Sequence, residues 1–382
     1  MTPYVRRQYL KRAPRLLWDI LVRGRHDFIF DLMPMRSVEM SLPKRVNLLK
    51  SGMNLLHRRL KPWSMPINFQ VELTNHCNLE CPVCACGAGL LTRPRGNMDL
   101  NLYRRLMDEI GPYLLNILLW GWGEPLLHPE FPEFVRIARG HGVNPLLSTN
   151  GQNLIEERVQ EGLLREPPDI LIVSVDGLTQ DAYNAYRIGA DLEKMLAGVR
   201  RLAELKRARN QDRPVLNMRM IATKQNERQI GQARDFAVRH QFDMLTIRTM
   251  VCIDAGKSAY GRFLPERDDY RSYRYENGRR VQRQDYQCQN AFAFPAMLLD
   301  GSVVPCDQDF NAQHSFGRFG NGATFRDIWF SRQAADVRKT IRKDRESYST
   351  CRNCPFADRV ASACTIQMHD LRTGRSLTAE PI

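Results

Sequence analysis

From residue 66 onward, short apolar runs alternate with longer amphipathic ones. Residues 68–74, 116–120, 145–148, 170–175, 215–221 and 244–249 are strand-length runs, and 170–175 is strongly β-branched. Between them, residues 100–114, 132–141, 155–164, 191–209 and 226–240 carry apolar positions at helical spacing. Asp99 or Asn101 would cap the first of these helices, while Pro132 opens the second and Gly142 closes it. Six strands alternating with helices predict an α/β fold with a parallel sheet and right-handed crossovers. Ligand sites in such sheets lie at the C-terminal strand ends, so the chemistry is expected just after each strand.

The alternation fails at both ends of the chain. Residues 1–65 read as a basic helical extension. Leu16, Leu17, Ile20, Leu21 and Phe28 lie near helical spacing, with Arg12, Arg15, Arg23 and Arg25 between them. Such a segment packs on the catalytic domain or lies on a membrane face. Residues 66–250 form the β/α core. Residues 251–287, rich in Arg, Tyr and Asp, read as an irregular connection, and 288–382 as a separate cysteine-bearing unit.

Charge is unevenly placed along the 382 residues. Of the formal +14, residues 1–61 hold 14 Lys/Arg against 4 Asp/Glu. That asymmetry points to an anionic partner, or to a solvated basic extension. A membrane surface or a phosphorylated substrate fits it, whereas a nucleic acid is not expected. No apolar run reaches the ~20 residues of a membrane-spanning helix. The best N-terminal candidate, residues 16–22, is broken by Asp19 and lacks the layout of a secretory signal. The expected location is cytoplasmic, with or without membrane association. Ten cysteines in tight clusters then favour metal binding over disulfides.

After the first strand the chain reads Thr74-Asn75-His76-Cys77-Asn78-Leu79-Glu80-Cys81-Pro82-Val83-Cys84. Three thiolates in one short loop can ligate three irons of a cubane and leave the fourth open to a small molecule. Structural zinc, with His76 or Cys86 as fourth ligand, fits this spacing poorly, because zinc ligands usually come as separated pairs. Cys86 itself reads as a small buried residue.

This loop resembles the signature of the radical S-adenosylmethionine (SAM) superfamily, in which the open iron is chelated by SAM. The resemblance covers residues 66–250 and continues in chain order. Trp120-Gly121-Trp122-Gly123-Glu124-Pro125 resembles the family's GGEP motif, which holds the SAM amino group. Ser148-Thr149-Asn150-Gly151 and Ser174-Val175-Asp176-Gly177 fall where the family contacts the SAM ribose or carboxylate. Arg187 resembles an arginine that pairs with the SAM carboxylate. The resemblance thus implies a six-stranded partial (β/α)6 barrel that cleaves SAM reductively and abstracts a substrate hydrogen. A flavodoxin or ferredoxin would donate the electron. Two positions depart from the pattern: Val83, where many members carry an aromatic residue beside adenine, and Trp122, in place of the first GGEP glycine.

Cys288, Cys306, Cys351 and Cys354 form a second set, with Asp300-Gly301 as a turn between strands 295–299 and 302–305 and a short helix at 325–330. The set resembles a SPASM domain, and more closely its shortened twitch form with one auxiliary 4Fe–4S cluster. Zinc on the same cysteines is the alternative. Cys252 and Cys364 read as packing residues. A twitch-like domain implies oxidation or rearrangement of a sugar- or aminocyclitol-like metabolite. Modification of a peptide or protein, or of a lipid or lipid-linked glycan at a membrane surface, are the alternatives, and a non-enzymatic cluster scaffold is the remaining one.

Overall fold

The computed structural model describes residues 14–25, 27, 29–35, 39–57, 59–250, 261–271, 274–276, 279–281, 288–320, 322–352, 354 and 364–378. Cys252 and Phe28 lie outside the described residues.

The N-terminal segment is only partly helical. Residues 14–18 run into a π-helical turn, Asp19–Arg23, closed by Gly24 in the left-handed region. A two-residue hairpin follows, β1 (Ile29–Phe30) paired with β2 (Met33–Pro34), and then helix α1 (Leu42–His57). Asp31 and Leu32 at the hairpin tip have φ of 52° and 63°. Two consecutive left-handed residues give the turn whose twist suits a two-residue hairpin. The helical expectation for this segment fails here because these residues bury themselves in a sheet's interior, where helical periodicity carries no advantage.

The core is the expected parallel array: β3 (Asn68–Val71), α2 (Leu100–Ile110), β4 (Asn116–Leu118), α3 (Phe131–Gly140), β5 (Asn144–Thr149), α4 (Glu157–Arg165) and β6 (Ile170–Ser174). Helices α5 (Gln180–Tyr186) and α6 (Leu192–Ala208), strand β7 (Val215–Ala222), α7 (Ala233–Arg239) and β8 (Met244–Thr249) complete it. Strands β3 to β8 pair in parallel in that order. Their outer faces, Phe69, Val71, Ile117 and Leu147 among them, pack beneath helices such as α2, which buries Tyr103, Leu106, Met107 and Ile110. Asp99 caps α2 by accepting from the Asn101 amide. Residues 226–240, expected as one helix, are mostly turns and a single 3-10 turn before α7. Asn226 spends its side chain on the Thr223 amide and on the Asp176 and Ile221 carbonyls, which competes with helix start.

The inner face changes character along the strands. Near their N-terminal ends, Leu146, Ile170, Ile172 and Met244 enclose Met33 and Met35 of the N-terminal segment. The hairpin is therefore a plug in the barrel floor. Each buried methionine contributes about 1.5–3 kcal/mol. Asn68, Asn116 and Asn144 form a side-chain ladder across β3, β4 and β5 at 2.9 and 3.1 Å. Towards the C-terminal ends the same face becomes polar: Ser148, Ser174, Arg219 and Arg248 line a cavity.

The C-terminal part does not stand apart from this sheet. After β9 (Arg274–Glu276), β10 (Arg279–Val281) and α8 (Asn290–Ala293), strand β11 (Ala296–Met297) pairs in parallel with β3. Strands β12 (Ser302–Val304) and β13 (Gly317–Arg318) extend that edge. Helices α9 (Phe325–Trp329), α10 (Arg332–Lys343) and α11 (Ser349–Arg352) lead to β14 (Thr365–Asp370), which pairs antiparallel with β8, and β15 (Ser376–Thr378) closes the other edge. The result is one eleven-stranded sheet. Covering both open edges of a partial barrel satisfies their backbone donors and acceptors.

Candidate active site

The cysteine loop between β3 and α2 is held by its own polar residues. Thr74 donates to the Gly96 carbonyl, and Asn75 holds the Pro94 carbonyl and the Gly96 amide. The His76 carbonyl accepts from the Glu124 amide at 2.8 Å. Gly123 is glycine because a Cβ there would sit 2.7 Å from that same carbonyl oxygen and closer still to that of Thr74. The Glu124 carboxylate is enclosed, accepting from the Leu126 and Asn150 amides and the Thr149 hydroxyl at 2.7–3.1 Å. Burial pushes its carboxyl up against those bonds. Glu124 thus joins the loop after β4 to the end of β5.

Cys77, Cys81 and Cys84 line a cavity of about 280 Å³. Of the other residues expected there, Val83, Gly121, Gly123, Glu124, Ser148, Asn150, Ser174 and Arg187 border the same cavity. Pro125 and Asp176 do not. Pro125 opens a 3-10 turn, and Asp176 holds Arg187 from behind, with Oδ2 2.6 Å from Nε and Oδ1 accepting from the Ile221 amide. Burial works against the Arg187 charge, but Asp176 and then Cys81 beside it keep it protonated. Its Nη1 lies 3.9 Å from Cys81 Sγ. Asn150 Nδ2 bonds Asn78 at 2.7 Å and lies 3.9 Å from Cys77 Sγ. Val83 packs with Tyr186, Phe263 and Ile221, which puts the aromatic ring of Tyr186 beside position 83 on the cavity wall.

Burial pushes the Cys81 thiol up, and that of Cys84 to about 11. Bound iron reverses this, because a coordinating thiol is deprotonated outright. Among the described residues, no three Cys, His, Asp or Glu side chains converge closely enough for a single ion. Cys86 does not border the cavity; it receives Arg95 at 2.9 Å, bonds the Asn75 carbonyl and shares a hydrogen bond with the Cys77 thiol.

The four cysteines of the second set lie within electrostatic reach of one another. Cys306 follows β12, and its thiol is raised by burial and by the nearby Cys288, Cys351 and Cys354. The Asn290 and Ala291 amides at the start of α8 face Cys288. Cys364 lies apart from the four, at the edge of β14, and borders the first cavity beside Arg248. Asp307 and Gln308, the two residues after Cys306, also border that cavity. Trp122 donates from Nε1 to the Asp307 carbonyl at 2.6 Å. Sequence reading missed Tyr186, Arg219, Arg248, Asp307 and Gln308. The signal for the two arginines was a charge at the inward position of strands otherwise rich in apolar residues.

Residues 71–237 match the radical SAM superfamily, and 288–355 match the iron-sulfur cluster-binding domain SPASM. The chain thus carries a radical SAM domain over residues 71–237 and, C-terminal to it, a SPASM domain. The two domains imply as cofactors SAM, the 4Fe–4S cluster that binds it, and auxiliary iron–sulfur. The tungsten-containing aldehyde ferredoxin oxidoreductase cofactor-modifying protein of Pyrococcus furiosus is 27% identical over 47% of this chain and 51% of that protein. The mycofactocin maturase MftC of Mycobacterium ulcerans is 30% identical over 51% of this chain and 49% of that protein. The chain thus spans about half the length of these curated relatives. SuiB of Streptococcus suis bound to S-adenosylmethionine superposes with a TM-score of 0.56 at 13% identity, over 83% of this chain and 79% of that one. BtrN in complex with AdoMet and 2-DOIA gives 0.50 at 18%, over 78% and 96%.

Proposed function

We propose that this enzyme binds SAM at Cys77, Cys81 and Cys84 and abstracts hydrogen from a small polar, sugar- or aminocyclitol-like substrate held in the same cavity. Cys288, Cys306, Cys351 and Cys354 would hold one auxiliary cluster. The cluster in the first site, when bound, supplies the electron that splits SAM into methionine and a 5′-deoxyadenosyl radical. The protein's own part is positional. The loop around Gly121 and Gly123 offers backbone to the SAM amino group, and Arg187, aimed by Asp176, offers its remaining N–H donors to the carboxylate. Ser148, Asn150 and Ser174 offer hydroxyl and amide groups to the ribose, and Val83, Ile221 and Tyr186 an apolar wall to adenine. The enclosure keeps water from the radical.

One observation carries the small-substrate reading. A single cavity is walled by the cysteine trio and by the residues directly after Cys306, while the N-terminal hairpin plugs its floor. A substrate there lies between the two cysteine sets, which suits hydrogen abstraction followed by loss of a second electron. MftC is named a maturase, and SuiB is also described with a precursor peptide, SuiA. A peptide would have to enter the same plugged cavity. Anaerobic reconstitution tests the reading: about eight irons per chain from two cubanes, 5′-deoxyadenosine with SAM and dithionite, and deuterium transfer from a labelled polar metabolite. No 5′-deoxyadenosine from the iron-loaded protein would sink the radical reading. Deuterium arriving only from a peptide would sink the small-substrate reading.

A second observation favours contact with an anionic membrane surface. Nine of the eleven large apolar residues exposed among the described residues fall between positions 17 and 63. Leu17, Trp18, Leu21 and Val22 lie on the first helical stretch, and Leu42, Val46 and Met53 on one face of α1. They stand in the segment that carries most of the net positive charge. Among the described residues, no helix is long and apolar enough to cross a membrane. Co-sedimentation with phosphatidylglycerol vesicles, lost in a Leu17→Ser/Trp18→Ser/Leu21→Ser variant, is the expected result, and no co-sedimentation at low salt refutes it.

A further inference from the structure

Arg219 on β7 and Arg248 on β8 border the cavity but belong to no part of the SAM-binding pattern. Both occupy inward positions near the C-terminal strand ends. Between them stands one carboxylate, Asp31, delivered by the tip of the N-terminal hairpin. Arg219 Nη2 lies 3.0 Å from Asp31 Oδ2, and Arg248 Nε 3.5 Å from the same oxygen. The Thr365 hydroxyl of β14 donates to the other oxygen, Oδ1. The Asp31 carboxylate is thus used up by Arg219 and Thr365. The Arg248 Nε–H is buried and, among the described residues, has no hydrogen-bond acceptor.

A guanidinium carries five N–H donors in a planar fork. Two such groups share one carboxylate, and although Arg219 also spends Nε on the Thr246 hydroxyl at 3.3 Å and Nη2 on the Met33 sulfur, the orphaned Nε–H of Arg248 leaves the pair a donor for a ligand that enters the cavity. The third arginine of the wall, Arg187, is already matched by Asp176, and the Glu124 carboxylate is enclosed by its own donors. Asp307 borders the same space, and the Cys364 thiol is hydrogen-bonded to the Arg248 guanidinium. Among the described residues, no other cation borders the cavity. An orphaned N–H in a buried guanidinium is costly unless something fills it.

Resting on the reading of this cavity as the substrate chamber, we propose that Arg219 and Arg248 form an anion subsite for the substrate's carboxylate or phosphate, with Asp31 as its internal counter-ion. The substrate is then an acidic or phosphorylated small molecule, anchored on the β7–β8 wall of the cavity so that its C–H bonds point towards the SAM side. Asp31 sets the strength of the subsite: it keeps the pair charged and apart in the empty enzyme and competes with the incoming anion.

The test uses the full, cluster-reconstituted chain with saturating SAM, so that a probe anion cannot take the place of the SAM carboxylate. Inorganic phosphate and acetate are titrated separately by calorimetry, with melting temperature as a second readout. Saturable binding is expected. Arg248→Gln should weaken it at least tenfold. Asp31→Asn keeps the side-chain shape and removes the competing charge, so it should bind the anion several-fold more tightly and recover with it part of its lost melting temperature. A merely structural Asp31 predicts the opposite sign. Binding of phosphate but not acetate assigns a phosphate, and comparable binding of both assigns a carboxylate. If Arg248→Gln does not reconstitute, Arg248→Lys, which keeps charge without the fork, should bind with intermediate affinity. The proposal is overturned if neither wild type nor Asp31→Asn binds either anion, or if binding is lost in Arg187→Gln and untouched in Arg248→Gln. 5′-Deoxyadenosine formation by wild type is measured separately. Its absence alongside Arg248-dependent binding would overturn the radical reading while leaving the subsite standing.

Discussion

Replacing Gly123 with alanine adds one methyl group and should cost the enzyme its SAM-binding cluster. The new Cβ would lie 2.7 Å from the His76 carbonyl oxygen and 2.9 Å from Asn75 Cα, with the Thr74 carbonyl nearer still. All three neighbours are backbone, and none is free to yield. Thr74 and Asn75 are tied to Pro94 and Gly96 by three side-chain hydrogen bonds, and the His76 carbonyl is bonded to the amide of Glu124, next to the substituted residue. Overpacking of this kind costs about 1–3 kcal/mol, and losing the Glu124–His76 bond adds about 1 kcal/mol. That is too little to unfold a chain of this size. It is enough to shift Cys77, one residue beyond His76, off its position. The expected outcome after anaerobic reconstitution is loss of about half the iron and at least a tenfold drop in 5′-deoxyadenosine, with the circular dichroism spectrum kept. Gly52→Ala is the control, because a Cβ there meets nothing within 4 Å. In mid-helix it should stabilise by about 0.5–1 kcal/mol and leave iron unchanged. Full iron and 5′-deoxyadenosine within twofold of wild type in Gly123→Ala would refute the close-approach argument. Equal loss from both cysteine sets would point to global damage.

Three further outcomes follow from the same structure. Cys288→Ala combined with Cys306→Ala should bring iron from about eight towards four while 5′-deoxyadenosine formation survives; loss of both together would tie the two sites into one folding unit. Arg338, fully buried, lies 4.0 Å over Trp329 and donates to the Ala291 and Trp329 carbonyls at 2.8 and 2.9 Å. Arg338→Met orphans both carbonyls at about 2–4 kcal/mol, and since Ala291 also faces Cys288, auxiliary iron should be released first on heating, followed by iron-release kinetics. The third concerns acid. Burial would raise the Asp31 carboxyl, but Arg248, Arg219 and Thr365 outweigh it and hold it below the usual range. A depressed folded value means its contribution is full above the unfolded value of about 3.9 and is lost as pH falls through the folded one. Urea midpoints should therefore fall more steeply below about pH 4 in wild type than in Asp31→Asn, and parallel curves would contradict the ion pairing.

The β/α core was legible because its signals are local. Strands buried on both faces read as continuous apolar runs, and caps such as Asp99 mark the helices between them. The cysteine loop and the later strand-end motifs were legible for the same reason. What escaped was decided by distant contacts. The β1–β2 hairpin is too short to show a period, and its Met33 and Met35 are buried by strands more than a hundred residues away. The two-sided attachment of the C-terminal part, through β11 on β3 and β14 on β8, leaves no trace in spacing. The helix expected from Asn226 gives way because that side chain is tied to the Asp176 carbonyl, 50 residues away and brought near only by the fold.

Trp122 gives the departure from the GGEP pattern a physical sense. A glycine at that position serves close approach of backbone, yet the close approaches here fall on Gly121, against Glu72, and on Gly123, against the cysteine loop. Position 122 is free to carry a side chain, and the indole reaches across the cavity to the carbonyl of Asp307, next to Cys306, while its ring packs edge-on to Phe310. Glu72 completes the link from below, bonding Arg93 at 2.8 Å and the Leu299 amide at 3.1 Å, and Arg93 in turn bonds the Phe310 carbonyl. The loop that borders the first cysteine set is thereby bonded to the segment that follows a cysteine of the second. If an electron must pass from a substrate radical to an auxiliary cluster, this bracing is what fixes the two sites at constant separation. Trp122→Phe, which keeps the ring and removes the N–H, should leave iron at both sites and SAM cleavage without substrate intact, while lowering the fraction of SAM cleavage that ends in product. An unchanged fraction would mean that the 122–307 bond serves packing alone.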